Sequence, residues 1–316
     1  MQKRSWRVIQ ALFLVLTQAL YYSDTAQAEQ QSYKVKFVHT VRNLSNAPVE
    51  NVIVNVAIPA SCKTQQLKDL RSECNIGVAP SVVTDHYGQS VYSFNLGRIE
   101  VGQSINVGYS CRADFYDVLP IDLSKFGTAK IPEEILKVYT GDNQRIYDLR
   151  NPALSSLATQ FISRYPRAEE RVRAIHYYVA SNIKYDREGK WDSAPQVLAR
   201  RTGSCSEISY LFCALCRATG IPTRFVGGSR MRRAAPYEDP VGHRWSEVYF
   251  AGLGWVPFDP TLDAKDPKQL KYFTSFFQPS LITFHGGGSS SLLANAYNSN
   301  CTQRDKLDSQ RVFYWR

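Results

Sequence analysis

The chain has 316 residues, of which 44% are hydrophobic and 21% charged, with a formal net charge of +10 and a pI near 9.2. That length suits two modest domains. The basic balance, without any RNA- or DNA-binding motif, excludes nucleic acid as the expected partner and favours an acidic substrate or an anionic surface.

Residues 1–28 read as a cleaved secretory leader. Lys3, Arg4 and Arg7 form a positive start, residues 8–22 are mostly apolar, and Ala26-Gln27-Ala28 is an A-x-A cleavage site after Ala28. Gln10, Thr17 and Gln18 interrupt the apolar run, which falls short of the roughly 20 residues a membrane span needs. No later segment is long and apolar enough to span a bilayer. The expected location is therefore periplasmic or secreted, with no transmembrane segment in the mature chain, which stays basic.

Residues 29–115 read as an N-terminal all-β, sandwich-like domain. Stretches 33–38, 52–58, 92–94 and 105–109 are rich in β-formers and separated by Asn, Pro and Gly turn signals. His39 and His86 lie here without a spaced partner, which favours structural roles. Residues 116–150 form a connector rich in turns and charges. Two helices are predicted next, at 152–163 and 168–184. In the second, Val172, Ile175, Val179 and Ile183 recur at helical spacing, and His176 is expected to bond locally.

The segment that carries chemistry begins at Gly203. Ser204 is a good N-cap, Glu207 completes a capping box, and Gly220 with Pro222 supplies the stop. Cys205 falls on the first helical position, where unpaired backbone N–H groups and the helix dipole stabilise a thiolate. The same N–H groups suit an oxyanion. Beyond it only Ser209 and Arg217 are clearly polar, so this helix should be the buried centre of its domain.

A nucleophilic cysteine needs a base and a group to orient that base. A predicted hairpin offers both: His243 opens the strand 243–250, residues 251–254 turn, and Asp259 closes the strand 255–259. With a three-residue loop, Phe250 opposes Gly254, Trp245 opposes Asp259, and His243 becomes a same-face diagonal neighbour of Asp259, roughly 7–8 Å away at the backbone. A two-residue loop would put the two on opposite faces. Between the strand at Phe225-Val226 and His243, the loop 229–242 carries Arg230, Arg232 and Arg233. They could clamp an acidic substrate, since planar guanidinium donors suit carboxylates; a solvated loop is the alternative.

These residues resemble the transglutaminase-like superfamily, papain-fold proteins with a Cys-His-Asp triad. The resemblance is carried, in the family's order, by residues 194–205, 220–228, 243–248 and 254–261, and covers roughly 150–262. It implies Cys205 as nucleophile, His243 as base and Asp259 as orienting acid. It also implies an α+β fold, a central helix packed on an antiparallel sheet, across 151–316. The Cys205 backbone N–H is one oxyanion donor; Gln196 and Trp191 are candidates for the second, and Trp245 joins the arginines as a substrate-binding candidate. The expected activity is amide or peptide hydrolysis through a thioester. Alternatives are a protein-crosslinking enzyme with an amine acceptor, or a non-catalytic binding module of the envelope. The expected partner is a peptide or protein, and neither a metal nor a cofactor is implied.

Seven cysteines, at 62, 74, 111, 205, 213, 216 and 301, make an odd number in an exported chain. Cys205 is the natural unpaired one, and Cys62 with Cys74 is the preferred local disulfide. Cys213 and Cys216 lie inside the central helix, which favours burial or one bridge to Cys301. The helix predicted at 268–277, strand-like segments at 281–285 and 292–297 and the Gly/Ser run 286–291 are expected to complete the papain-like sheet.

Overall fold

A computed structural model describes residues 30–85, 88–118, 120–123, 130–143, 145–187, 189–264, 266–275, 279–286, 292–293 and 298–316. The leader, His86 and most of the Gly/Ser run and of 292–297 lie outside these residues.

In chain order the strands are β1 (Gln30–Arg42), β2 (Val49–Ala57), β3 (Gln65–Cys74), β4 (Ser81–Thr84), β5 (Ser90–Ile99), β6 (Ser104–Tyr116), β7 (Lys184–Tyr185), β8 (Thr202–Gly203), β9 (Thr223–Arg230), β10 (Tyr237–Asp239), β11 (His243–Phe250), β12 (Gly254–Phe258), β13 (Ser280–Gly286), β14 (Ser299–Cys301) and β15 (Asp308–Trp315). The helices are α1 (Glu133–Tyr139), α2 (Pro152–Arg164), α3 (Ala168–Asn182), α4 (Ala194–Arg200), α5 (Cys205–Ala218) and α6 (Pro260–Asp263).

Period-two alternation builds the sandwich. On β1, Val35, Phe37, His39 and Val41 point inward while the intervening residues are more exposed. One sheet runs in the order β10-β15-β1-β6-β3 and the other β14-β2-β5-β4. Val54, Val56, Phe94, Ile105 and Tyr109 share the apolar core between them. The tail departs from expectation. β13 joins the papain-like sheet by pairing with β9, but β14 pairs with β2 and β15 pairs with β1 from Val35↔Trp315 to Arg42↔Asp308. The chain therefore returns to its first strand to finish the sandwich. The predicted helix at 268–277 is also absent over its described part, where 267–269 and 271–272 form turns and Phe273 makes an isolated bridge to Phe258.

In the second half, a four-stranded sheet of order β12-β11-β9-β13 supports α5. Every residue from Cys205 to Arg217 is buried, in agreement with the apolar character of that helix. Two polar side chains beyond its first turn are anchored inside: Ser209 Oγ donates to Cys205 O at 2.7 Å, and Arg217 Nε donates to Thr223 O at 2.9 Å. Leu211, Phe212 and Leu215 pack with Val172, Ile175 and Val179 of α3 in one core, and truncating Leu211 to Ala would cost about 2–5 kcal/mol. At Gly228 a Cβ would sit 1.9 Å from Leu281 O. Only glycine lets β13 close on β9 there, and Gly228 is the residue paired with His243.

All seven thiols are free. The expected Cys62–Cys74 disulfide is ruled out by β3 itself: the strand starts just after Cys62 and ends at Cys74, so the two lie about 30 Å apart along an extended chain. Cys62 instead contacts Thr64 Oγ1 at 3.3 Å. Cys213 and Cys216 sit in the α5 core and Cys301 in the sandwich core, so the alternative bridge to Cys301 is absent too.

Candidate active site

The mouth of α5 is built as a capping box. Ser204 occupies the N-cap in extended conformation, and its N–H donates to Glu207 Oε2 at 2.8 Å. Cys205 follows as the first helical residue, 8% exposed.

The hairpin supplies its neighbours. Phe250 pairs with Gly254, Tyr249 with Trp255 and Ser246 with Phe258, so the loop is the three-residue one, 251–253. Gly252 and Gly254 take φ of 86° and 79°, a left-handed turn that glycine makes without strain. Along this register His243 and Asp259 fall on one face, and His243 Nε2 lies 2.5 Å from Asp259 Oδ2. Asp259 also N-caps α6, its Oδ1 accepting from Leu262 N at 3.2 Å. One carboxylate thus fixes both the imidazole and the next turn of chain.

With Nε2 engaged by Asp259, Nδ1 is the His243 ring nitrogen left for the Cys205 thiol, and the two side chains are close enough to shift each other's titration. Burial pushes the His243 imidazole down, but the Asp259 charge and the hydrogen bonds to Asp259 and Cys205 outweigh it and lift its pKa from 6.5 to about 9. Burial pushes the Cys205 thiol up; the hydrogen bond and charge of His243, with the Arg244 guanidinium, reverse that and hold it below its ordinary 9.0. The directions are complementary. A thiolate facing an imidazolium is the state they favour near neutral pH.

Two contributors escape a reading of the sequence. Arg244, 9% exposed, donates through Nη1 to Val241 O at 2.9 Å, and its charge acts on Cys205. Glu207 does more than cap. Its Oε1 accepts from Lys190 N and Asp192 N, both at 3.1 Å, and from Arg200 at 2.9 Å, tying the preceding loop to the helix mouth. A Cβ at Gly189 would meet Ser204 Oγ at 2.3 Å, which shows how tightly that loop packs. Trp191 sits between the two clamped N–H groups with φ of 60° and 47% exposed. Tyr185 is placed nearby by the parallel pairing of β7 with β8, opposite Gly203.

Other sequence candidates are placed differently. Gln196 is engaged at the start of α4, where its Oε1 accepts from Ser193 N and Oγ, both at 2.8 Å; this cap uses the amide oxygen, not the amide nitrogen that an oxyanion would need. Trp245 is 2% exposed and stacks on His243, ring centroids 5.8 Å apart. It backs the imidazole and, with Phe115, Tyr116 and Glu247, lines a cleft between sandwich and sheet.

The arginines do not converge into a clamp. Arg232 binds Asp239 at 2.7 Å and Gly242 O at 2.6 Å, while Asp239 accepts from Val241 N and Gly242 N, so this pair braces the turn into His243. Arg230 is 7% exposed and donates to Tyr272 OH at 3.1 Å. Arg233 lies over the Tyr237 ring at 5.7 Å. His176 does not bond locally either: its Nε2 meets Asp263 Oδ2 at 2.7 Å, 87 residues along the chain. Among the described residues, no group of three or more His, Cys, Asp or Glu is placed to hold a metal ion, and no helix is long and apolar enough to cross a membrane.

Comparison with known proteins bears on the fold that carries this site. Residues 155–260 match the family model of the transglutaminase-like superfamily. The chain is 24% identical over 273 residues to the Bacillus subtilis (strain 168) protein YebA, covering 73% of this chain and 35% of that protein. It is 26% identical over 153 residues to the Mus musculus kyphoscoliosis peptidase, covering 45% and 21%. It therefore spans 35% or less of the length of these two curated relatives. A solved structure described as a candidate cysteine protease from Cytophaga hutchinsonii shares the fold, with a TM-score of 0.64 at 17% identity over 91% of both chains. Residues 155–260 are thus a transglutaminase-like domain.

Proposed function

We propose that the chain is a cysteine-dependent acyl-transfer enzyme that hydrolyses amide or peptide bonds through a thioester on Cys205. The observation that carries this reading is the Asp259–His243–Cys205 line: a buried carboxylate 2.5 Å from the imidazole, and that imidazole beside a buried thiol at a helix mouth whose titration it lowers.

The steps follow from those positions. The thiolate adds to the carbonyl carbon, and the oxyanion is held by the Cys205 backbone N–H, with Trp191 and Gln196 as the upstream candidates for a second donor. His243 gives its proton to the departing amine as the C–N bond breaks, leaving a thioester. Water then adds to the thioester, His243 accepts its proton, and the C–S bond breaks to release the acid and restore the thiolate. Asp259 holds the tautomer and orientation throughout. An amine in place of water would give a new amide by the same steps. We also propose export, on the strength of the residue 1–28 leader pattern; N-terminal sequencing of the mature protein would read it.

The test is iodoacetamide alkylation of Cys205 against pH, mapped by peptide, in wild type and His243→Ala, followed by release of new N-termini or ammonia from peptide amides. Labelling well below the ordinary thiol range near 8.5, lost in His243→Ala, together with Cys205-dependent release, is the expected result. Labelling that tracks an ordinary thiol would overturn the proposal and favour a binding module. Product that forms only when an amine is supplied would move the reaction to crosslinking.

A further inference from the structure

The molecule contains a second buried His–Asp pair that the reaction above does not use. His176 on α3 is fully buried, and Asp263, the last residue of α6, is 2% exposed. A carboxylate only accepts, so Nε2 of His176 carries the proton it donates at 2.7 Å. Nδ1 has no hydrogen-bond partner among the described residues. Phe212, Phe258 and Phe273 surround the ring at centroid distances of 5.8, 6.1 and 5.4 Å. A lone polar ring in an aromatic cage is costly to keep unless its one good bond is needed.

That bond leads to the active site. α6 is a single turn of four residues, with Asp259 capping its start and Asp263 ending it. Each of the two aspartates takes a histidine, His243 at the first and His176 at the second. Tyr272 ties them together through its backbone: its O accepts from Asp259 N at 3.1 Å, and its N donates to Asp263 Oδ1 at 2.9 Å. A short helix has little stability of its own, so its position must come from such anchors.

We propose that His176 is a positioning residue for the reaction, holding α6 through Asp263 so that the Asp259 carboxylate stays within bonding distance of His243. The inference rests on the reading of Cys205, His243 and Asp259 as the reacting line. His176 touches no substrate and exchanges no proton. Its effect reaches Cys205 only through where Asp259 sits.

The experiment is the pH profile of Cys205 alkylation by iodoacetamide in the full chain, for wild type, His176→Gln, His176→Leu and Asp263→Asn, with circular dichroism as a folding check. Gln can place an amide N–H near the position of Nε2; Leu fills the cage without a donor; Asn keeps the shape of Asp263 and removes its charge. His176→Gln should keep the wild-type profile. His176→Leu and Asp263→Asn should move the acid limb up, toward an ordinary thiol, by about half a pH unit or more. A folded His176→Leu or Asp263→Asn protein with the wild-type limb would overturn the proposal. So would a His176→Gln protein shifted as far as His176→Leu, because packing rather than the bond would then be responsible. If His176→Leu does not fold, the isosteric Asp263→Asn decides alone. A wild-type profile that is itself ordinary sinks the reading of the reacting line instead, so the two failures are distinguishable.

Discussion

His39 in the sandwich and His243 at the mouth of α5 are both buried, and the two halves of the molecule push them in opposite directions. His39 occupies a core position in the inward row of β1, with neither ring nitrogen hydrogen-bonded among the described residues. Burial, with the Arg311 charge adding to it, lowers its pKa well below 6.5. His243 is about as buried but faces Asp259 and Cys205, and its pKa rises to about 9. Burial alone makes a histidine neutral. A buried carboxylate at bonding distance reverses the sign, and that reversal is what a thiolate partner requires.

The largest effect that would sharpen this comparison is Cys205→Ala, which should reduce any acyl transfer to background, a loss of about a million-fold. The fold should survive, with thermal unfolding displaced by about 1 kcal/mol or less. Product release together with a thermal melt would check both parts.

Asp259→Asn turns His243 toward the environment of His39. The expected loss is about ten-thousand-fold in rate, and the His243 pKa, followed by NMR titration, should fall from about 9 toward or below the ordinary 6.5. An imidazole that stays high in this variant would break the comparison, because something other than the carboxylate would then be holding the proton.

Glu207→Ala leaves the three reacting side chains in place but removes the cap and the clamp on residues 190–192. A destabilisation of about 1–3 kcal/mol in urea denaturation is expected. Rate should fall as well, because the loop that carries Trp191 is released. A variant that unfolds earlier yet turns over normally would separate the clamp from catalysis.

The smallest effect concerns His39. Its folded pKa lies below the unfolded value, so as pH falls through about 6.5 the unfolded chain takes up a proton that the folded chain refuses. Stability is therefore lost as pH falls from about 6.5 toward the folded pKa, at no more than about 1.4 kcal/mol per pH unit. His39→Leu should flatten that part of a stability curve measured by denaturation at several pH values. An unchanged slope would show that other groups carry the acid sensitivity.

Much of this site is legible in the chain because its signals are local. The capping box of Ser204 and Glu207 places Cys205 on the first turn, the apolar run to Ala218 buries the helix, and Ala251 to Leu253 set the hairpin parity that brings His243 and Asp259 to one face. Each depends on hydrogen bonds or periodicities spanning a few residues, which composition and spacing encode directly. The transglutaminase-like resemblance of 150–262 rests on the same segments.

Tertiary structure alone decided the rest. Strand β15 pairs with β1 across some 270 residues of sequence, and no local pattern says which sheet a C-terminal strand will join. Cys62 and Cys74 are close in number, yet an intervening extended strand separates them. Arg232 carries the right group for recognition, but Asp239 reaches it first. His176 finds Asp263, and Glu207 finds the 190–192 loop, through contacts that exist only after the core has closed. A side chain's chemistry is written in the sequence; the partner that uses it is chosen by packing.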